Sequence, residues 1–213
     1  MYFPIDFNAN KLSLHRVRLT NGYVGLPPRR CLDYNTRAAC QVAGVAWKWQ
    51  DGLWQGVEGL PRTRLVSRAL VCAQPNQMIG QIDVATTALV PCPLELDGGP
   101  PGTATLMSDR PGRVSIAVEA PSRQLLALGE SFHPGWRVKV DGERRRVVAV
   151  YGDFLGCEVG PGRHQVEFFF APSSLRLGAV LSALGVTLLL VWFVWTGWLS
   201  WRKAAWMPDT STS

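Results

Sequence analysis

The sequence predicts a mainly β protein: an antiparallel β-sandwich of about seven strands, preceded by a small α+β region and followed by one C-terminal transmembrane helix. Three observations predict it. Residues 103–170 break into short strand-like runs, with turn residues recurring at roughly ten-residue spacing. Residues 177–201, LGAVLSALGVTLLLVWFVWTGWLSW, carry no charged side chain. Residues 1–100 show no single dominant period, only short helix and strand patterns. The expected organisation is a small α+β region over 1–100, a sandwich over 101–172, a transmembrane helix over 175–201 and a tail over 202–213.

In the first region, NGYVGLPPRR (21–30) is turn-rich, because Asn-Gly and Pro-Pro break regular elements. TRAACQVAG (36–44) predicts a short helix closed by Gly44. VAWKWQ (45–50) alternates like a strand, and Asp51–Gly52 predicts a hairpin into LWQGV (53–57). RTRLVSRALVC (62–72) reads as one further strand. A short helix is expected near Asn76–Ile82, and PCPLELDGGPPG (91–102) is a Pro/Gly-rich linker.

The sandwich signal follows. Strand-like runs occupy 103–108, 112–120, 123–131, 136–140, 144–151, 154–159 and 163–170. Arg110–Pro111–Gly112, Pro134–Gly135, Asp141–Gly142, Gly152–Asp153 and Pro161–Gly162 supply the turns. In RVKVDGERRRVVAV (137–150), Val138 and Val140 alternate with Arg137 and Lys139, which gives one core face and one wet face. Asp141–Gly142 suits a type I′ turn, because both residues tolerate positive φ. Ala171–Pro172 ends the last strand.

A helix over 177–201 reaches roughly 37 Å, against about 30 Å of bilayer hydrocarbon. Trp192, Trp195, Trp198 and Trp201 recur every third residue and sweep half the helix circumference. Trp198 and Trp201, beside Arg202 and Lys203, fit an interfacial anchor. Gly178 and Ser182 form a small-x-x-x-small pair, the pattern of a helix–helix contact with other transmembrane helices. The expected first partner is the lipid bilayer.

The chain has 213 residues and a formal net charge of +6, almost all of the excess being arginine. The arginines are scattered apart from Arg144–Arg145–Arg146, and no basic stripe with interleaved aromatics points to nucleic acid. Cys31, Cys40, Cys72, Cys92 and Cys157 show no C-x-x-C spacing, and His15, His133 and His164 lie far apart in sequence, so no metal site is expected. Cys31–Cys40 and Cys72–Cys92 are open as disulfides or as free thiols. Nucleophile-elbow, P-loop, dinucleotide and zinc-protease motifs are absent, so neither a catalytic residue nor a cofactor is expected. Three residues stand as ligand or scaffold candidates. His133 precedes Pro134–Gly135–Trp136 at a strand junction, Trp136 has a face suited to stacking on a sugar ring or to packing in a core, and Asp141 is an acid that its turn already explains.

The N-terminus, MYFPIDFNANKLSLHRV, lacks the basic start and continuous apolar core of a signal peptide. Arg202 and Lys203 follow the span while Arg176 alone precedes it, so the positive-inside rule puts the tail in the cytoplasm and the main domain outside. A domain outside without its own signal requires upstream membrane helices. The chain is therefore expected to be the C-terminal piece of a larger polytopic protein.

Residues 124–178 carry five motifs in order: Phe132–Trp136, Val140–Gly142, Phe154–Gly156, Pro161–Val166 and Phe170–Pro172. This stretch resembles the C-terminal region of the bacterial YfhO-type membrane proteins. NGYVGL (21–26), VAGVAWKW (42–49) and LPRTRLV (60–66) resemble that family's extracytoplasmic region more weakly. The resemblance implies kinship with multi-span GT-C-type glycosyltransferases, which take sugars from polyprenyl-phosphate donors at the outer membrane face. Their catalytic acid lies in an early loop that has no counterpart here, so no catalytic residue carries over. The expected role is then a non-catalytic extracytoplasmic domain and last span in cell-envelope glycosylation, with polyprenyl-linked sugar or envelope glycan nearby. A stand-alone anchored glycan-binding module and a structural or assembly protein without ligand are the rivals.

Overall fold

In the computed structural model, residues 32–50 and 53–204 are described. The turn-rich stretch 21–30, Cys31, Asp51–Gly52 and the tail beyond residue 204 lie outside the described residues. The chain divides into two units, Met1–Phe170 and Ala171–Ser213.

Among its described residues the first unit holds thirteen strands, mostly antiparallel. The first element of the described residues is a short helix, α1 (Arg37–Val42). The Thr36 hydroxyl accepts the Ala39 N–H as the N-cap, and Gly44 takes φ +68 just past the helix end, where a side chain is strained. β1 (Trp47–Gln50) and β2 (Leu53–Gly56) pair as the expected hairpin. The run 62–72 is not one strand. It splits at the buried Ser67 into β3 (Thr63–Val66), wholly buried, and β4 (Arg68–Val71), mostly exposed. A helical turn follows, α2 (Pro75–Met78) leading into a 3₁₀ segment at Ile79–Gln81. Next comes β5 (Thr87–Val90), which pairs in parallel with β4. This strand is absent from the sequence-based reading, because a four-residue apolar run does not declare its state locally.

The remaining strands are β6 (Thr103–Arg110), β7 (Arg113–Ala120), β8 (Gln124–Ser131), β9 (Trp136–Val140), β10 (Glu143–Arg145), β11 (Val148–Val150), β12 (Phe154–Val159) and β13 (Gly162–Phe170). They form two facing sheets, β10-β9-β13-β7-β6 and β11-β12-β8-β3. The predicted run 144–151 splits between them. Its exposed arginine end pairs with β9, and its buried valine end pairs with β12. The chain thus changes sheet at Arg146–Val147, where its side chains turn from wet to buried.

Between the sheets lie Val114, Ile116, Val118, Leu126, Leu128, Val138, Leu155, Val166 and Phe168, all buried. β7 supplies every second residue to this core, the alternation expected of a sheet wet on its other face. The four-stranded sheet is different. Its outer face also packs, with Val66, Leu125, Ala127, Val148, Val150 and Phe154 against Leu32, Ala39, Val42, Ile79, Val84 and Leu89. That second cover explains why β3 is buried along its whole length and why most of β8 reads as a continuous apolar run.

The second unit is α3 (Ser173–Ala204), a helix of 32 residues and about 48 Å. Ser173–Thr196 is long and apolar enough to cross a membrane. Its large apolar side chains are exposed all along that length. The Thr187 and Thr196 hydroxyls donate to carbonyls one turn back, at Ala183 and Trp192, so neither is left unsatisfied in an apolar surround.

Candidate functional site

β9 runs into a tight turn at Asp141–Gly142, with φ +52 and +85, and returns as β10. Both residues take the left-handed conformation of a type I′ turn, so the Asp-Gly pair is there for backbone reasons. The turn also places the Asp141 carboxylate against β13. Its Oδ2 lies 2.6 Å from His164 Nδ1, and its Oδ1 accepts the Gln165 N–H at 2.8 Å. The Asp141 N–H in turn donates to the Gln165 carbonyl. His164 Nε2 faces the Pro161 carbonyl at 3.3 Å. Both ring nitrogens therefore face acceptors, which favours the imidazolium. The hydrogen bond to Asp141 raises the His164 pKa above its ordinary value, and the same bond, then the Gln165 N–H, lowers that of Asp141.

A groove of about 570 Å³ opens beside this pair. Arg123, Arg145 and Arg146 line it together with Glu143 and Glu158, and its floor carries Val140, Val159 and Gly160. Arg145 pairs with Glu143 at 2.9 Å and Arg123 with Glu95 at 3.6 Å. The walls thus alternate cationic donors with carboxylate acceptors. Such a set holds a ligand rich in hydroxyls or carrying an anionic group. With Asp141 and both His164 nitrogens already engaged, it offers positioning rather than a poised nucleophile or base.

The sequence candidates do not converge. Trp136 and Asp141 stand at opposite ends of β9, roughly 17 Å apart along the strand. Trp136 is only 8% exposed, belongs to the inter-sheet core and meets the Phe170 ring edge-on at 5.5 Å. His133 is exposed, its Nδ1 accepts the Gly135 N–H at 2.9 Å, and its ring lies 5.3 Å from that of Phe170. Asp141 alone faces the groove. Of the anchor set, Trp198 is exposed on α3, while the side chains of Trp201, Arg202 and Lys203 lie outside the described residues. Sequence reasoning passed over His164, Arg123 and Glu158. His164 sits in the Pro-Gly-x-His motif, but nothing local to it announces a carboxylate 23 residues upstream.

Cys40, Cys72, Cys92 and Cys157 are free thiols. The register sets Val71 against Val90, so Cys72 falls opposite Pro91 rather than Cys92, and that pairing is not made. Among the described residues no group of three His, Cys, Asp or Glu side chains is placed to hold a metal ion.

No curated protein and no solved structure matches the chain. Residues 102–182, which hold β6 to β13 and the first turns of α3, match the family described as Bacterial membrane protein YfhO, so this stretch is similar to that membrane family.

Proposed function

We propose that this chain supplies a non-catalytic extracytoplasmic domain and last membrane span to a YfhO-like membrane glycosyltransferase of cell-envelope glycosylation. The carrying observation is that the family match runs unbroken from β6 into the apolar helix. In this reading the tail lies in the cytoplasm, and the sandwich covers the outer face. The Asp141–His164 groove positions a hydroxyl-rich acceptor or the sugar phosphate of a polyprenyl-linked donor. The transfer chemistry belongs to helices and loops outside this sequence. The mixed arginine and carboxylate lining supports a positioning role, because the groove holds charge and hydrogen-bonding groups without a free nucleophile.

The test has two arms. In intact cells, Ser108→Cys on the exposed part of β6 should react with a membrane-impermeant maleimide above the background of the native thiols, and Ser213→Cys only after lysis. In membranes carrying the full chain, sugar transfer from polyprenyl phosphate to envelope acceptor should fall severalfold in Arg145→Glu/Arg146→Glu with the protein still inserted. Reversed labelling overturns the orientation. Transfer that is indifferent to removal of the chain overturns the role.

A further inference from the structure

The β1–β2 hairpin forms a two-stranded sheet of its own, which no third strand extends among the described residues. Such a ribbon is marginal in water unless a partner covers it. Its register pairs Trp47 with Gly56 and Trp49 with Trp54, so Trp47 and Trp54 share one face. The Trp47 ring lies over Gly56, where an added Cβ would meet it at 3.8 Å. Trp47 is 65% exposed and Trp54 42%, and Leu53 on the other face is 69% exposed. The only charged side chain on the two strands is Lys48, whose ammonium reaches back to the Asn35 carbonyl at 3.4 Å. This is an amphipathic aromatic ribbon with apolar groups on both faces, flanked by glutamine and lysine.

We propose that this hairpin docks into the headgroup region of the bilayer to which α3 anchors the chain, with Trp47, Trp54 and Leu53 as the inserted side chains. Indole rings favour that zone, because they bring an apolar body and a polar N–H to a boundary offering both surroundings. A bilayer is always within reach. The last strand ends at Phe170 and the apolar helix begins at Ser173. A sandwich unit of this size has a radius of gyration of about 14 Å, so the tether holds it at a high effective concentration against lipid. Weak insertion by two indoles and a leucine is then enough to keep the hairpin docked. A sugar platform fits less well. It would need polar side chains around the ring rims, whereas the position facing Trp47 is Gly56, and Leu53 would have no task.

The test uses the full chain in vesicles of phosphatidylcholine and phosphatidylglycerol. Wild type is compared with Trp47→Ala/Trp54→Ala and with the milder Leu53→Ser, and folding of each is checked by an unreactive Cys157. The wild-type-minus-double-variant emission should be blue-shifted, shielded from acrylamide and quenched by lipid spin-labelled near the headgroup, and Leu53→Ser should weaken that quenching. Three results would overturn the proposal. The first is a component open to acrylamide and untouched by spin-labelled lipid. The second is shielding without lipid quenching, which would mean a protein cover such as a second copy. The third is shielding that appears only on adding soluble envelope polysaccharide.

Discussion

Asp141 does two jobs with one side chain: it tolerates φ +52 in the turn, and it holds His164 and the Gln165 N–H. Asparagine tolerates the same backbone, so Asp141→Asn removes the charge and leaves the turn. The raised His164 pKa contributes stability that is complete below its unfolded value near 6.5 and is lost as pH rises through the folded value. The lowered Asp141 pKa contributes stability above about 3.9 that is lost as pH falls through the folded value. The thermal-midpoint gap between wild type and Asp141→Asn should therefore be widest between about pH 4 and 6.5. It should amount to about 1 kcal/mol or less, because the carboxylate is half exposed and screened.

Arg64 is the opposite case. It is buried, its Nη1 donates to the Val42 and Pro61 carbonyls, and its guanidinium lies over the Tyr151 ring at 5.6 Å. Nε and Nη2 have no hydrogen-bond partner among the described residues. A buried cation without a carboxylate favours the fold little, so Arg64→Met should leave the unfolding midpoint unchanged or raise it. Cys157 should stay unreactive toward iodoacetamide until the chain unfolds, since burial pushes its thiol far above the ordinary range.

At the scale of elements, Gly156 on β12 is there for space. A Cβ at this position would sit 2.5 Å from Val150 Cγ2 and 2.9 Å from the Leu126 carbonyl oxygen. Gly156→Ala should cost about 1–3 kcal/mol in denaturant unfolding. Adding Val150→Ala should recover only part of it, because the backbone contact remains. The Phe-x-Gly motif was legible in the sequence, but its reason was not: both neighbours come from other strands. The same holds for the split runs. RTRLVSRALVC and the 144–151 run each look like one strand, because local pattern records only alternation and apolarity. The breaks at Ser67 and Arg146–Val147 arise where the chain leaves one sheet for another. The hairpin at 47–56, the helix capped by Thr36 and closed by Gly44, and the Asp-Gly turn were all readable, since each depends on neighbours within a few residues.

Across the whole molecule, the segments 32–42 and 63–90 are built onto the sandwich rather than strung ahead of it. β3 is a strand of the four-stranded sheet, and Leu32, Ala39, Val42, Ile79, Val84 and Leu89 cover that sheet's outer face. A chain cut to residues 101–213 would present Leu125, Val148, Val150 and Phe154 to solvent. It should lack the cooperative thermal transition expected of the full chain in detergent, as read by near-ultraviolet circular dichroism. The Arg62 guanidinium adds to this coupling, bridging Asp109 on β6 at 2.7 Å and Glu130 on β8 at 2.6 Å.

The sequence by itself determined most of the strands and turns after residue 102 and the long apolar helix, because alternation, positive-φ turn residues and an uncharged apolar run act over a few residues at a time. Only the tertiary structure decided which strands share a sheet, that one sheet is buried on both faces, and that Asp141, His164 and three arginines meet at one groove. Those outcomes depend on what lies opposite a residue in space. Burial and pairing across tens of residues leave no periodicity along the chain from which a partner can be read.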